Sequence, residues 1–242
     1  FDSLFMKCFA TRERIMEMLE ILTGNRVNYA MNIIGGARRD ISKEQFDELL
    51  QAIKETEEEF KGIYDIYECD SSIAARTKGV GILTHEDALI YGACGPHGRA
   101  SNVNFDVRKT MPYNSYEDFD FKVPLAEEGD VFSRAVVRLV EIEESFKIIK
   151  QAVINMPDGP INLGNKIPRV PKGESLAVTE APRGEVSYFV VSNGGQTNSR
   201  VNIHVPTFKN AATVPVMLKD NTIADAGLIV ASIDPCFSCL DR

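Results

Sequence analysis

No run of ~18 uninterrupted apolar residues occurs in this chain, so nothing in it spans a membrane as a helix. A basic-then-apolar leader is also missing; the chain begins on Phe1, which suggests that the true N-terminus lies elsewhere. Basic charge is in deficit, with Lys+Arg 27 against Asp+Glu 35 and a formal net charge of -8. A phosphate-binding surface needs clustered Lys and Arg, so a nucleic-acid scaffold is disfavoured. Histidine is scarce: His85, His97 and His204 form no ligand-spaced pair. The cysteines are five and irregularly spaced, which does not make the disulfide framework of a small secreted domain and points to a reduced, cytoplasm-like setting. Internal repeats and low-complexity blocks are absent.

What remains is ordinary globular material. The chain has 242 residues, 44% hydrophobic and 26% charged, enough to bury a real core. Ile15, Met18, Leu19 and Leu22 recur at helical spacing, and Gly24 follows as a stop, so a helix is expected over 11–22. A longer one is expected over 42–67, opened by Ser42 with Gln45 at the capping-box position. Its acidic run from Glu55 to Glu59 reads as a solvated face. Residues 73–116 break into short pieces rich in Gly, Pro, Asn and Arg. Within them, Gly92-Ala93-Cys94-Gly95-Pro96-His97-Gly98-Arg99 is a loop that lets backbone approach something closely. A third helix is expected over 127–155, ended by Pro157-Asp158-Gly159-Pro160. Strands are expected over 175–179, 186–192 and 200–205, the last two joined by Asn193-Gly194-Gly195. A closing helix pair leads from 223–233 into the last cysteines. The fold class is α+β and mostly helical, long helices with a small antiparallel β-sheet, in a single domain over 1–242.

Lone cysteines are usually small buried hydrophobes, the reading for Cys8 and Cys69. Cys236 and Cys239 differ. They form Cys-x-x-Cys within Asp234-Pro235-Cys236-Phe237-Ser238-Cys239-Leu240-Asp241-Arg242, and Pro235 suits the start of a helical turn that would aim both sulfurs at one centre. A thioredoxin-like redox pair would follow an early strand, whereas this pair follows a helix at the chain's end. Structural zinc would need two more ligands. A soft transition-metal centre completed by cysteines from elsewhere is the third option. Spacing alone leaves the three open.

The flanking residues add to this. Asp234-Pro235-Cys236-x-x-Cys239-x-x-Arg242 resembles the C-terminal metal-binding motif of [NiFe]-hydrogenase large subunits, in the energy-converting, membrane-bound branch. Gly35-Gly36-Ala37-Arg38-Arg39-Asp40, Gly95-Pro96-x-x-Arg99-Ala100-Ser101, Asp106-Val107-Arg108-Lys109 and Pro112-Tyr113 are similar to successive blocks of that branch and of the related large catalytic-arm subunit of complex I. Glu180-Ala181-Pro182-Arg183-Gly184-Glu185, Val190-Val191-Ser192 and Pro206-Thr207-Phe208 continue the series in order. Complex I subunits of this type lack the terminal cysteine pair, so the hydrogenase reading ranks first.

The resemblance implies a [NiFe]-hydrogenase large-subunit-like fold and an enzyme that reduces protons or oxidises dihydrogen, active only within a complex. It implies a nickel–iron centre with CO and cyanide on the iron, an Ni-Fe(CO)(CN)2 group for which this chain holds half the ligands. Cys236 would be the terminal nickel thiolate and a proton acceptor, and Cys239 the bridging thiolate. Arg183 would overhang the open coordination position, with Pro182 and Thr207 lining the pocket around the diatomic ligands; without the resemblance, Arg183 would be read as an ion-pair partner of Glu180 or Glu185. Asp106 and Arg108 are candidates for a buried pair. His97 and His204 read as structural or surface groups. Implied partners are an iron–sulfur small subunit with [4Fe-4S] clusters, membrane ion-translocating subunits and ferredoxin, with the chain at the cytoplasmic face of the cell membrane. The family's upstream Cys-x-x-Cys is missing, so the complementary N-terminal half or a separate chain must supply it. The alternative is a nickel-free, complex I-like electron-transfer or quinone/sulfur reductase subunit; a non-enzymatic interaction module with a structural cysteine pair is a third.

Overall fold

The computed structural model describes residues 2–164 and 170–241. In chain order the elements are α1 (Asp2–Thr23), β1 (Asn32–Ile33), β2 (Gly36–Ala37), α2 (Lys43–Cys69), α3 (Ser71–Thr77), α4 (His85–Ile90), α5 (Gly95–Arg99), α6 (Val107–Thr110), α7 (Val131–Ile154), β3 (Lys172–Ala181), β4 (Gly184–Asn193), β5 (Asn198–His204), α8 (Pro206–Ala211), α9 (Val214–Leu218), α10 (Ile223–Ser232) and α11 (Phe237–Leu240). The fold is mostly helical with small antiparallel sheets, as the residue pattern implied. No helix among the described residues is long and apolar enough to cross a membrane. The chain divides into two compact units, residues 1–69 with 145–169, and 70–144 with 170–242.

The first unit is built on α1 and α2. Thr11 hydrogen-bonds Glu59, and Arg14 bridges Glu55 and Glu59, so rising numbers on α1 meet falling numbers on α2 and the two helices run antiparallel. Met16, Ile53, Phe60 and Ile63 are buried here, and Phe60 meets Phe146 edge-on at 6.0 Å between ring centroids. The acidic run therefore does more than face water: Glu55 and Glu59 hold Arg14, and Glu57 holds Lys150. The helix over 11–22 extends back to Asp2, while its end is as expected, Gly24 at φ +78° donating its N–H to Glu20 O at 2.8 Å. Ser42 and Gln45 close the expected capping box, with N···O distances of 2.9 and 3.3 Å. Cys8 and Cys69 correct the sequence reading: both are exposed, one within α1 and the other at the last residue of α2.

The second unit holds the sheet β3-β4-β5, antiparallel throughout, and the short helices. Its apolar core gathers Leu83, Ala88, Ala93, Val131, Met217, Ile229 and Ile233. Arg99 and Arg134 are buried in the same unit. Arg134 donates to Gly129 O, Gly81 O and Ser232 Oγ at 2.7–2.9 Å, filling its planar fork with neutral acceptors. The helix expected from 127 begins at Val131 instead. Gly129 donates its N–H to Ala100 O and accepts from Leu83 N, which commits residues before 131 to loop geometry, and Asp130 then caps Ser133 N at 2.7 Å. β3 and β4 are longer than expected because each pairs along its whole length, from Lys172↔Asn193 to Ala181↔Gly184. That register leaves Pro182-Arg183 as the tip of a two-residue hairpin.

Candidate functional site

Four segments of the second unit meet around the terminal cysteines: the Pro182-Arg183 tip, the start of α5, the start of α8 and residues 234–239. Glycines permit the first contact. A Cβ on Gly95 would stand 2.3 Å from Arg183 O, and one on Gly184 would stand 2.7 Å from Gly95 N. Both residues also have positive φ, at +65° and +127°. The segment expected to be a loop at 92–99 is in part the short helix α5, and its residues from Ala93 to Arg99 are buried.

Arg183 reaches the turn that precedes the cysteines. Its Nε donates to Asp234 O at 2.5 Å and its guanidinium pairs with Asp234 Oδ1 at 3.1 Å. Asp234 sits at φ +55°, a left-handed conformation that Asp tolerates better than most residues. The acids beside Arg183 in sequence go elsewhere: Glu180 to Arg99 at 2.9 Å and Glu185 to Lys209 at 3.0 Å. Thr207 is buried at the start of α8, and its hydroxyl accepts the Cys236 N–H at 3.3 Å. Pro182 is exposed at the hairpin tip. Arg183 and Thr207 therefore hold the cysteine segment from two sides, while Pro182 shapes the turn that presents Arg183.

Cys236 is the N-cap residue of α11, and Cys239 N donates back to Cys236 O at 3.0 Å. Both side chains are half-buried. The Cys236 sulfur lies 3.1 Å from Ser238 Oγ. Hydrogen bonds from Ser238 and from the Cys239 thiol, with a contribution from the Arg183 charge, lower the Cys236 thiol to about 7. Cys94 is the opposite case. It is buried, its N–H donates to Asn210 Oδ1 at 3.0 Å, and burial pushes its thiol up to about 11. Among the described residues, no group of three or more His, Cys, Asp or Glu side chains is placed to hold a metal ion. Cys236 and Cys239 stand as a two-sulfur pair. One thiol is easily ionised and the other lies within hydrogen-bond reach, which suits part of a thiophilic metal's donor set.

Behind the hairpin lies a buried charge network. Arg99 contacts Glu141 at 2.6 Å, Glu180 at 2.9 Å and Asp106 at 3.5 Å, with a side chain 2% exposed. Asp106 and Arg108 form the expected pair, two-pronged at 3.0 and 2.6 Å. Glu180 also accepts the Val107 N–H, and its own N–H donates to Tyr113 Oη at 3.1 Å. Burial, reinforced by Asp106, raises the Glu180 carboxyl above its usual range. His97 is buried as well. Thr213 Oγ1 gives its proton to Asn210 O, so it accepts from His97 Nε2 at 2.9 Å, and His97 Nδ1 has no partner among the described residues. Burial, with Arg134 and Arg138, holds the imidazole well below its usual value, so it is neutral and structural. His204 is exposed at the end of β5.

Two parts of this arrangement escape sequence reasoning. Asp234 enters it only as one letter of a motif, although its place two residues before Cys236 is a usable signal. The Cys94–Asn210 clamp joins residues 116 apart, and no local pattern announces it.

Comparison with known proteins places the chain in the superfamily that contains hydrogenase and complex I catalytic subunits, whose mostly helical architecture the fold matches. A model of the family described as "Respiratory-chain NADH dehydrogenase, 49 Kd subunit" matches residues 1–168 and 163–242, and the chain belongs to that family. It is 41% identical over 243 residues to the carbon monoxide-induced hydrogenase of Rhodospirillum rubrum, covering 100% of this chain and 67% of that protein. It is 37% identical over 241 residues to an NADH-quinone oxidoreductase subunit of Clostridium beijerinckii, covering 98% and 65%. Against NADH-quinone oxidoreductase subunit 4 of Thermus thermophilus the identity is 35% over 270 residues, covering 98% and 64%. The chain spans about two thirds of the length of these relatives.

Proposed function

We propose that this chain is a redox subunit of a complex I-type electron-transfer assembly, positioned peripherally at the cytoplasmic face of a membrane. The observation that carries this reading is the family match along both stretches of the chain, with NADH-quinone oxidoreductase subunits among its relatives. Electrons would pass towards a quinone or sulfur acceptor. Iron–sulfur partner subunits would supply the clusters, and membrane subunits the ion translocation.

A second reading, the catalytic large subunit of an energy-converting [NiFe]-hydrogenase coupled to ferredoxin, is favoured by the cysteine pair and by the identity to the R. rubrum hydrogenase. Cys236 and Cys239 would then hold half of a nickel–iron centre, with the other thiolates supplied from outside this chain. When bound, that centre would supply the soft-metal chemistry of heterolytic dihydrogen cleavage. The chain's own part would be local: the Cys236 sulfur can hold a proton at neutral pH, and Arg183, fixed by Asp234, sets a guanidinium beside it.

Nickel and iron analysis of the purified intact assembly separates the readings. Iron without nickel supports the first. Nickel that disappears in Cys236→Ser, with the neighbouring subunits still assembled, supports the second. An assembly with neither redox turnover nor metal beyond its clusters overturns both and leaves a structural interaction module.

A further inference from the structure

The two outer strands of the β3-β4-β5 sheet are finished differently. β3 opens with Lys172, Gly173 and Glu174, a composition that discourages a further strand, and Tyr113 hydrogen-bonds its far end at Glu180. Among the described residues β5 pairs with β4 alone, so every second N–H and C=O along its outer edge lacks a strand partner there. Its protection is slight: aliphatic Val201 and Ile203 alternate with Arg200 and Asn202, and Val201 is 48% exposed. Arg200 has no carboxylate within ion-pair reach among the described residues. These four residues form one wall of a groove of about 590 Å³ whose other wall is Ser238 and Asp241. The groove therefore runs alongside the segment that carries Cys236 and Cys239.

We propose that the outer edge of β5 is a strand-docking site. Its occupant is an extended segment of the polypeptide that makes up the remaining third of the relatives' length, paired backbone to backbone with β5 and placing an acidic side chain against Arg200. An edge with open amides, a cation with no carboxylate within ion-pair reach among the described residues although Asp241 lines the facing wall, and a groove beside it are what such a segment recognises. A strand seated there lies next to a two-sulfur pair that needs further donors. The proposal rests on the reading that those donors come from outside this chain.

Residue-resolved amide exchange on the intact assembly tests it. The alternate β5 amides that point away from β4 are expected to exchange about 100-fold more slowly than those of residues 194–197. A photo-crosslinker attached at Asn202→Cys should capture the additional polypeptide, and Arg200→Glu should speed the exchange. Outward β5 amides as fast as those of 194–197 overturn the proposal, and so does a crosslink from one β5 to a second copy of β5. The Cys236→Ser assembly keeps the two readings apart, since nickel loss reports on the thiol pair and slow β5 exchange reports on the docking edge.

Discussion

At the scale of single residues, the contrast between Cys236 and Cys94 shows how one side chain acquires two chemistries. Both are helix N-cap residues. Cys236 receives hydrogen bonds from a hydroxyl and a thiol near a guanidinium, and its thiolate is stabilised; Cys94 is buried, and its thiol stays protonated. Arg183 ties the hairpin to Asp234, two residues before Cys236. Its pair with Asp234 is substantially exposed, so Arg183→Ala is expected to change stability by less than about 1 kcal/mol. On the hydrogenase reading, turnover of the intact assembly should fall about 100-fold, the typical loss when a fixed donor at a reacting centre is removed, whereas on the complex I-type reading it should stay within about twofold. Denaturation midpoints measured beside turnover check this, and a large loss of stability with unchanged specific activity would refute it.

At the scale of elements, the site depends on close backbone contact between the β3–β4 hairpin and α5. Gly95→Ala would drive a Cβ to 2.3 Å from Arg183 O, and the neighbouring Gly184 is crowded too, its added Cβ 2.7 Å from Gly95 N. A loss of about 1–3 kcal/mol is expected in chemical denaturation, the usual cost of overpacking and a strained φ. Gly227 in α10 is the control, with nothing among the described residues within 4 Å of an added Cβ. Gly227→Ala should be neutral or stabilise by up to about 1 kcal/mol. If both variants lost the same amount, the close approach would not be what constrains Gly95. The sequence made the glycine-rich stretch visible, but not that it is helical or what it approaches. Periodicity reports neighbours three or four residues away, whereas Gly95 meets Arg183 and Gly184 across the fold.

At the scale of the whole molecule, the second unit buries ionisable groups whose partners must all stay in place, because a charge left alone there is costly. Removing Arg99 as Arg99→Met leaves Asp106, Glu141 and Glu180 without a shared guanidinium, and a loss of about 3–5 kcal/mol is expected by chemical denaturation. Acid should act in two stages. His97 is depressed when folded, so the unfolded chain binds its proton first; that stability is complete above pH 6.5 and declines as the pH falls below it. Asp106 is likewise depressed, held low by Arg108 and Arg99, and its contribution is lost as the pH falls below 3.8. Glu180 is raised and works in the opposite sense, favouring the folded state more as it becomes protonated. A pH series of unfolding free energies checks the sign. His97→Gln should flatten the first stage, and an unchanged first stage would exclude His97 as its source.

The sequence by itself determined the long helices with their caps at Ser42 and Gly24, the three strands of the larger sheet, the superfamily shared by hydrogenase and complex I subunits, and the Cys236/Cys239 pair. Each of these is written in residues that are near one another in the chain or ordered along it. Only the tertiary structure decided that Arg183 pairs with Asp234, that Thr207 holds Cys236 N, that Glu180 turns inward to Arg99, and that Cys8 and Cys69 lie outside. The physical reason is distance along the chain. Partners 29 to 81 residues apart are selected by packing and by the cost of burying an unpaired charge, and neither leaves a local pattern to read.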